Sequence, residues 1–209
     1  KNMKNNKQLE FWRGEFGDLY IGRNTPEDVV YPSRVEMWKK ILSVFPDLPS
    51  SILEVGSNIG NNLKILDQLL DVEIYALEPN AKARETLKKN IEITEDKIFN
   101  GSAKDLPIDS SKIDLVFTSG VLIHIAPEDL QSSCAEIYRV SRRYILSIEY
   151  FNPTPIQIPY RGHDGVLFKR DFGSFWIENF PNLKVIDYGF FWKPQTGLDN
   201  LTWWLFQKP

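Results

Sequence analysis

Apolar residues recur along this chain in two alternating periods. Val35, Trp38, Leu42 and Phe45 are spaced by three and four, which puts them on one face of a helix ended near Pro46. Residues 52–55 form a short apolar run closed by Gly56, Leu63, Leu66 and Leu70 make a helical stripe, and 72–77 is strand-like again. That succession predicts a β-α-β unit. A helix through Ala83, Leu87 and Ile91, a short strand near 97–100 and an apolar strand over 113–118 continue the alternation. Leu130, Cys134 and Ile137 then predict a helix ahead of a strand over 144–148. Strands joined by helical crossovers are mainly parallel, so residues 50–150 read as an α/β, doubly wound, mainly parallel sheet.

The last third changes character. Residues 183–191 and 201–206 are aromatic-rich strand patterns separated by a short turn region with Pro194 and Gly197, which predicts a C-terminal antiparallel strand pair. Between core and pair, residues 151–169 carry Pro153, Pro155, Pro159, Gly162 and Gly165, and no regular structure is expected there. Long loops in compact domains are usually functional or disordered, and the aromatic and charged content of this one favours function. The chain thus divides into an N-terminal cap and helix (1–49), a cofactor-binding core (50–150), a substrate loop with a helix (151–182) and closing strands (183–209). With 209 residues these are parts of one domain.

Charge and composition narrow the chemistry. Twenty-five basic against 28 acidic residues give a net charge of -3, no overall field for a phosphate backbone, so no nucleic-acid partner is expected. One cysteine and two histidines exclude an internal disulfide and leave too few soft ligands for structural zinc, so no metal is expected either. No apolar run approaches the roughly 20 residues of a membrane span. The polar N-terminus lacks a following apolar h-region, so no membrane association and a cytoplasmic location are expected. The expected partner is a small-molecule acceptor, with the protein a monomer or homodimer.

In an open parallel sheet the ligand sits beyond the carboxyl ends of the strands, where strand order reverses. Here the first such turn contains Gly56 and Gly60, which let the backbone turn tightly and approach a ligand, and a helix N-terminus follows. Glu78 ends the next strand, where a carboxylate accepts hydrogen bonds from a ribose diol. An adenosine-containing ligand follows from the pair. Asn58 and Asn61 stand where a dinucleotide motif has its second and third glycines, and no P-loop is present, so nicotinamide and ATP are disfavoured.

The run Ile52-Leu-Glu-Val-Gly-Ser-Asn-Ile-Gly60, the strand end Leu77-Glu78-Pro79-Asn80, the stretch Gly101-Ser-Ala-Lys-Asp-Leu-Pro107 and the strand Ile113-Asp-Leu-Val-Phe117 resemble successive motifs of class I S-adenosylmethionine-dependent methyltransferases. The resemblance covers about half the chain and implies a Rossmann-like fold with S-adenosyl-L-methionine as cofactor. It implies that Glu54, Gly56, Ser57, Asn58 and Gly60 hold the methionine end, Glu78 with Pro79 the ribose, and Ser102 and Ala103 the adenine edge, with Ser119 ending the neighbouring strand. Ser102 departs from the pattern, since many relatives have an aspartate there. Segments outside the core, among them Phe11-Trp-Arg-Gly-Glu-Phe-Gly-Asp-Leu-Tyr20, Tyr160-Arg-Gly-His163 and Thr202-Trp-Trp-Leu-Phe206, are similar to the pseudaminic acid biosynthesis-associated methylase family. That likeness extends over nearly the whole chain and implies an acceptor related to nonulosonic acid sugars. As in similar enzymes, Tyr20 and Arg23 are expected to cover the cofactor, Arg23 pairing with its carboxylate.

Methyl transfer needs alignment and an unprotonated acceptor atom. His124 follows the fourth strand directly and titrates in the useful range, which makes it a candidate base, although a helix-terminal histidine is also commonly satisfied by backbone. His163 and Arg161 sit in the irregular loop. With Tyr160 and Lys169 they read as an anion-recognising lid, the alternative being solvated loop charges. Glu149 and Tyr150 end the fifth strand and are expected to point toward the acceptor, Tyr150 as a third candidate catalytic group. Cys134 reads as a core hydrophobe. The reading is an S-adenosylmethionine-dependent methyltransferase acting on N or O of a small anionic metabolite. Its alternatives are an N-methyltransferase of an amino-acid-like molecule and a non-catalytic nucleoside-binding module.

Overall fold

A computed structural model describes residues 7–22 and 30–209. Its core is the predicted alternation. β1 (Ser51–Val55) leads through α4 (Asn61–Leu69) to β2 (Glu73–Leu77), and α5 (Ala81–Asn90) leads to the two-residue β3 (Ile98–Phe99). The chain then returns to β4 (Ile113–Ser119) on the other side of β1 and passes through α6 (Pro127–Val140) to β5 (Ser141–Glu149). Ahead of the sheet lie α1 (Lys7–Arg13), α2 (Glu15–Ile21) and α3 (Tyr31–Leu42). α3 stops before Pro46, and Phe45 is buried just beyond it.

The described residues form a seven-stranded sheet of order β3-β2-β1-β4-β5-β9-β8, whose last members are β8 (Lys184–Phe191) and β9 (Leu201–Gln207). β1 pairs in parallel with both β2 and β4, so strand order reverses at its carboxyl end, where the sequence locates the ligand. The closing strands are antiparallel to one another, and β9 lies between β5 and β8. α8 (Lys193–Thr196) joins them and ends on Gly197. The fold is therefore α/β and Rossmann-like, as predicted.

Alternate residues of the central strands feed two cores. Ile52, Leu115, Phe117 and Tyr144 pack with Trp38 and Ile41 of α3 and Leu63 and Leu66 of α4. Leu53, Val116 and Ile145 pack on the other face with Leu130, Cys134 and Ile137 of α6 and Trp176 of α7 (Phe172–Asn179). Both faces being covered explains why all five residues of β1 are buried, without alternation. Cys134 is fully buried, as expected of a core hydrophobe.

The Pro- and Gly-rich segment departs from the expectation of wholly irregular structure. β6 (Ile156–Gln157) pairs antiparallel with β7 (Phe168–Lys169), and Tyr160 exchanges two backbone hydrogen bonds with His163 around a tight turn. Arg161 sits there at φ 53, followed by Gly162 at φ 81. A ribbon this short carries no detectable alternation, so sequence pattern could not register it.

Candidate active site

The turn after β1 is built from three left-handed residues, Gly56 (φ 76), Asn58 (φ 48) and Gly60 (φ 82). At Gly56 a Cβ would stand 2.6 Å from Cγ2 of Val121, so both conformation and space demand glycine. Asn58, where a dinucleotide motif has glycine, is among the few residues that tolerate this region. The N–H groups of Gly56 and Ser57 donate to the carbonyl of Leu77 at 2.8 and 3.1 Å, which ties the turn to the end of β2.

Glu78, next along, is buried. Its two oxygens accept from the backbone N–H groups of Asn58 and Asn80, each at 2.8 Å. Burial raises its pKa against the pull of those two donors. Both oxygens keep further acceptor capacity, and Glu78 lines the cavity described below. Asn80 caps α5, accepting from the N–H of Ala83 at 2.9 Å, while its Nδ2 donates to the Trp12 carbonyl at 3.2 Å and to Oδ1 of Asp18 at 2.9 Å. One side chain thereby docks the α1–α2 cap onto the segment that carries Glu78.

Glu54 of β1 is also buried, and burial pushes its pKa up to about 8. Its Oε1 accepts from Nδ2 of Asn62 at 2.7 Å, and Oε2 has no hydrogen-bond partner. The Asn62 Oδ1 accepts from the indole N–H of Trp38 at 3.2 Å. Arg34, at the start of α3, lines the same cavity; its charge favours the ionised forms of Glu54 and Asp199, and its Nε likewise has no partner.

On the other side of the switch point, Glu149 accepts from the backbone N–H groups of Val121, Leu122 and Ile123 at 3.2, 3.1 and 3.5 Å. Burial raises it to about 7. This carboxylate fixes the 3-10 turn Leu122–His124 that brings His124 to the cavity. The His124 Nδ1 lies 2.6 Å from the carbonyl of Val166, which can only accept, so this nitrogen carries the proton and Nε2 the lone pair. Burial lowers the pKa of His124 to about 4 and keeps the ring neutral. Tyr150 donates to Oδ2 of Asp199 at 2.6 Å, and burial followed by this contact raises the phenol.

These groups line one cavity of about 290 Å³. Tyr20, Glu54, Gly56, Ser57, Asn58, Glu78, Pro79, Ser102, Ala103, Ser119, His124 and Tyr150 all border it. Gly60 does not, and acts through the turn. Arg23 lies outside the described residues. Five other expected site residues lie outside its lining. The Glu149 carboxylate is taken up by backbone N–H groups and does not line the cavity. The Arg161 guanidinium lies over the Tyr160 ring at 5.3 Å and is exposed. His163 packs edge-on against Phe11 and Phe16 at 5.0 and 5.5 Å, Tyr160 packs on His124 at 5.2 Å, and the Lys169 ammonium sits 4.9 Å from the Tyr150 ring centroid. None of these borders the cavity. The sequence reading missed Trp12, Arg34, Asn62, Asn80 and Asp199. Asn62 had a readable signal, being on the first turn of the helix that follows the glycine turn. Asn80 closes the strand-end motif over 77–80 and Trp12 lies in the segment 11–20 that carries the family likeness, while Arg34 and Asp199 had no signal.

Among the described residues, no cluster of His, Cys, Asp and Glu is arranged to hold a metal ion, and no helix is long and apolar enough to cross a membrane.

Residues 53–144 match a family described as a methyltransferase domain. Sarcosine/dimethylglycine N-methyltransferase of Aphanothece halophytica is 24% identical over 120 residues, which are 54% of this chain and 43% of that protein. The chain thus matches less than half the length of that curated relative. Among solved structures, a SAM-dependent methyltransferase from Leishmania major superposes with a TM-score of 0.74 at 19% identity, covering 96% of this chain and 81% of the other. The 1,6-didemethyltoxoflavin-N1-methyltransferase of Burkholderia thailandensis, bound to S-adenosylhomocysteine, gives 0.73 at 12% identity, covering all of this chain and 92% of the other.

Proposed function

We propose that this protein is an S-adenosylmethionine-dependent methyltransferase acting on a nitrogen or oxygen of a small molecule. One observation carries the reading: Glu54 Oε2 and Arg34 Nε, opposite in charge and both buried without partners, border the same cavity as Glu78. An α-amino acid zwitterion answers the first two, its ammonium on Glu54 and its carboxylate on Arg34. A ribose diol answers Glu78, and Ser102 and Ala103 border the cavity where an adenine edge belongs. S-adenosylmethionine joins these three chemistries in one molecule, so the residues present fit it. When bound, the sulfonium supplies an electrophilic methyl group.

The protein's own contribution is binding, orientation and exclusion of water. The α1–α2 cap closes over the cavity through Asn80, and the neutral ring of His124 presents an unprotonated nitrogen. Between acceptor readings, N-methylation of an amino-acid-like molecule gains support from the similarity to sarcosine/dimethylglycine N-methyltransferase. The nonulosonic acid reading rests on the family likeness of the outer segments; Arg161, offered as a carboxylate clamp for either scaffold, does not border the cavity and does not separate the two.

The test is calorimetric titration with S-adenosylhomocysteine, with NADH as control and Glu78→Ala as variant. Binding of the first alone, weakened in the variant, is the expected result. Labelled methyl transferred to no member of a panel of amines, amino acids, sugar acids and nucleotide sugars would count against an enzyme and in favour of a nucleoside-binding module.

A further inference from the structure

A second cavity, of about 200 Å³, shares Ile125 with the first and no other lining residue. Its walls are apolar: Leu122, Leu130 of α6, Ile156 of β6, Phe168 of β7 and Phe172 of α7. Backbone hydrogen bonds hold the β6–β7 side in place. The Ile158 N–H donates to the Leu167 carbonyl at 3.0 Å, and the Asn152 N–H to the Arg170 carbonyl at 3.3 Å.

Two cations, Lys169 and Arg170, border this cavity, and no acidic residue does. Neither enters an ion pair among the described residues. Asp171, next in sequence, instead accepts from the N–H and the hydroxyl of Ser174 at 2.9 and 2.7 Å and caps α7. The Arg170 guanidinium lies 4.5 Å from the Phe175 ring centroid, and its Nε is buried without a hydrogen-bond partner. Lys169 rests on Tyr150 in the same manner. A ring face holds a cation without neutralising it and gives its N–H donors no lone pair in the plane of a carboxylate. A buried donor left open, beside an apolar cavity, is destabilising until an anion meets it.

Size and lining set the rest of the ligand. An apolar cavity of about 150 Å³ holds a benzene, so this one holds a body of about five to seven carbons. A bare inorganic anion would lose hydration that apolar walls do not replace.

We propose that this cavity is a second ligand site, separate from the cofactor cavity, and that it takes a carboxylate carrying a compact apolar body. The carboxylate meets Arg170 and Lys169, and the body packs on Leu122, Leu130, Ile156 and Phe172. The site goes beyond the methyltransferase reading and stands without it. An occupant lies between the 3-10 turn that carries His124 and the segment whose Val166 carbonyl holds the His124 ring, so it braces both.

Hexanoate, hexylammonium, 1-hexanol and acetate are titrated calorimetrically into the full chain, first alone and then with saturating S-adenosylhomocysteine. Hexanoate should bind under both conditions, at least tenfold more tightly than the other three. Amide hydrogen exchange should slow over residues 122–130 and 155–170 and stay unchanged over 7–22. Arg170→Met keeps an apolar stem over Phe175 and removes the donors, and should weaken hexanoate at least tenfold. Ile156→Trp, at a position 39% exposed, fills the cavity from the surface and should abolish binding. Hexanol or hexylammonium binding as tightly as hexanoate overturns the role of the cations, and acetate doing so overturns that of the apolar walls. Loss of hexanoate binding in the presence of S-adenosylhomocysteine, with protection over 7–22, puts hexanoate in the first cavity and overturns the second site. An unaltered hexanoate Kd in the two folded variants overturns it as well. The wild-type selectivity and the exchange pattern decide without any variant. Failure of S-adenosylhomocysteine to bind counts against the methyltransferase reading alone, because hexanoate is first titrated in its absence.

Discussion

The side-chain amide of Asn62 donates to Glu54 at 2.7 Å through one carboxylate oxygen only, leaving the other turned to the cavity without a partner. The amide has no freedom to do otherwise. An indole N–H is a donor only, so Trp38, 3.2 Å from Oδ1, sets which way Asn62 faces. A tryptophan of the core therefore holds the polarity of a group in the site. Burial keeps Glu54 protonated well above the ordinary carboxylate range, up to about 8.

A proton should consequently leave when the cofactor product binds. At pH 7 Glu54 is mostly neutral in the free protein, and an ammonium group placed on it favours the carboxylate. Calorimetric enthalpies of S-adenosylhomocysteine binding measured in phosphate and in Tris should differ by the buffer ionisation heat for release of up to one proton. The release should fade above pH 8 and be largely lost in Glu54→Gln. Losing one charged hydrogen bond of about 1.5–3 kcal/mol should weaken affinity about 10- to 100-fold in that variant. Equal enthalpies in both buffers at pH 7 would place the ammonium elsewhere.

The docking of the cap makes a second prediction. At Gly17 a Cβ would lie 1.8 Å from the Trp12 carbonyl oxygen and 2.9 Å from Nδ2 of Asn80, the same atom that anchors the cap. Gly17→Ala should displace α1–α2 without disturbing the sheet. Proteolysis within residues 7–22 should speed up, S-adenosylhomocysteine should bind about tenfold more weakly, and the main thermal transition should stay in place. Asn80→Ala should add a fall in the main transition, because it also removes a helix cap usually contributing about 1 kcal/mol.

The same cap explains what could and could not be read in the sequence. Glu54, Gly56, Asn58 and Glu78 were legible because a strand, its turn and the next strand end fix their geometry locally. The placement of Arg161, His163 and Lys169 outside the cavity lining was not legible, because the direction of a loop side chain depends on what docks beside it. Here Phe11 and Phe16 take the ring of His163, and tyrosine rings take the two cations. Arg34 and Asp199 reach the cavity from opposite ends of the chain, from the first turn of a helix and from a turn before the last strand. No spacing links them. The position of β9 between β5 and β8 was likewise illegible, since an antiparallel pair satisfies its pattern in either order.

The two histidines should behave differently. His163 lies outside the cavity in contact with the cap, so His163→Ala should change kcat/KM for the methyl acceptor by less than about threefold, roughly 0.6 kcal/mol. His124→Ala removes a buried ring from the wall and strips the Val166 carbonyl of its donor. An unsatisfied buried group costs about 1–3 kcal/mol, so kcat/KM or the melting temperature should fall well beyond the effect of His163→Ala. A steady-state comparison of the two variants checks this, and equal losses would restore His163 to the site.

Glu149 supplies a prediction in pH. Its pKa is pushed to about 7 in the folded protein from an ordinary 4.5, because burial outweighs the backbone donors at Val121, Leu122 and Ile123. A raised carboxylate contributes its full stability below the unfolded pKa and loses it as pH rises through the folded one. Relative to Glu149→Gln, which cannot ionise, the wild type should therefore lose about 3 kcal/mol between pH 4.5 and 7 and nothing further above that. His124 works the other way: its pKa is lowered from 6.5 to about 4, so its contribution to stability grows as pH rises through that window. Glu54 falls over a wider range, and both cancel when wild type and Glu149→Gln are subtracted at each pH. Denaturant unfolding of the two proteins from pH 4 to 8 measures that difference. A difference that stays constant would mean that three N–H groups aimed at one carboxylate offset its burial, leaving the turn beneath His124 held by a carboxylate ionised throughout.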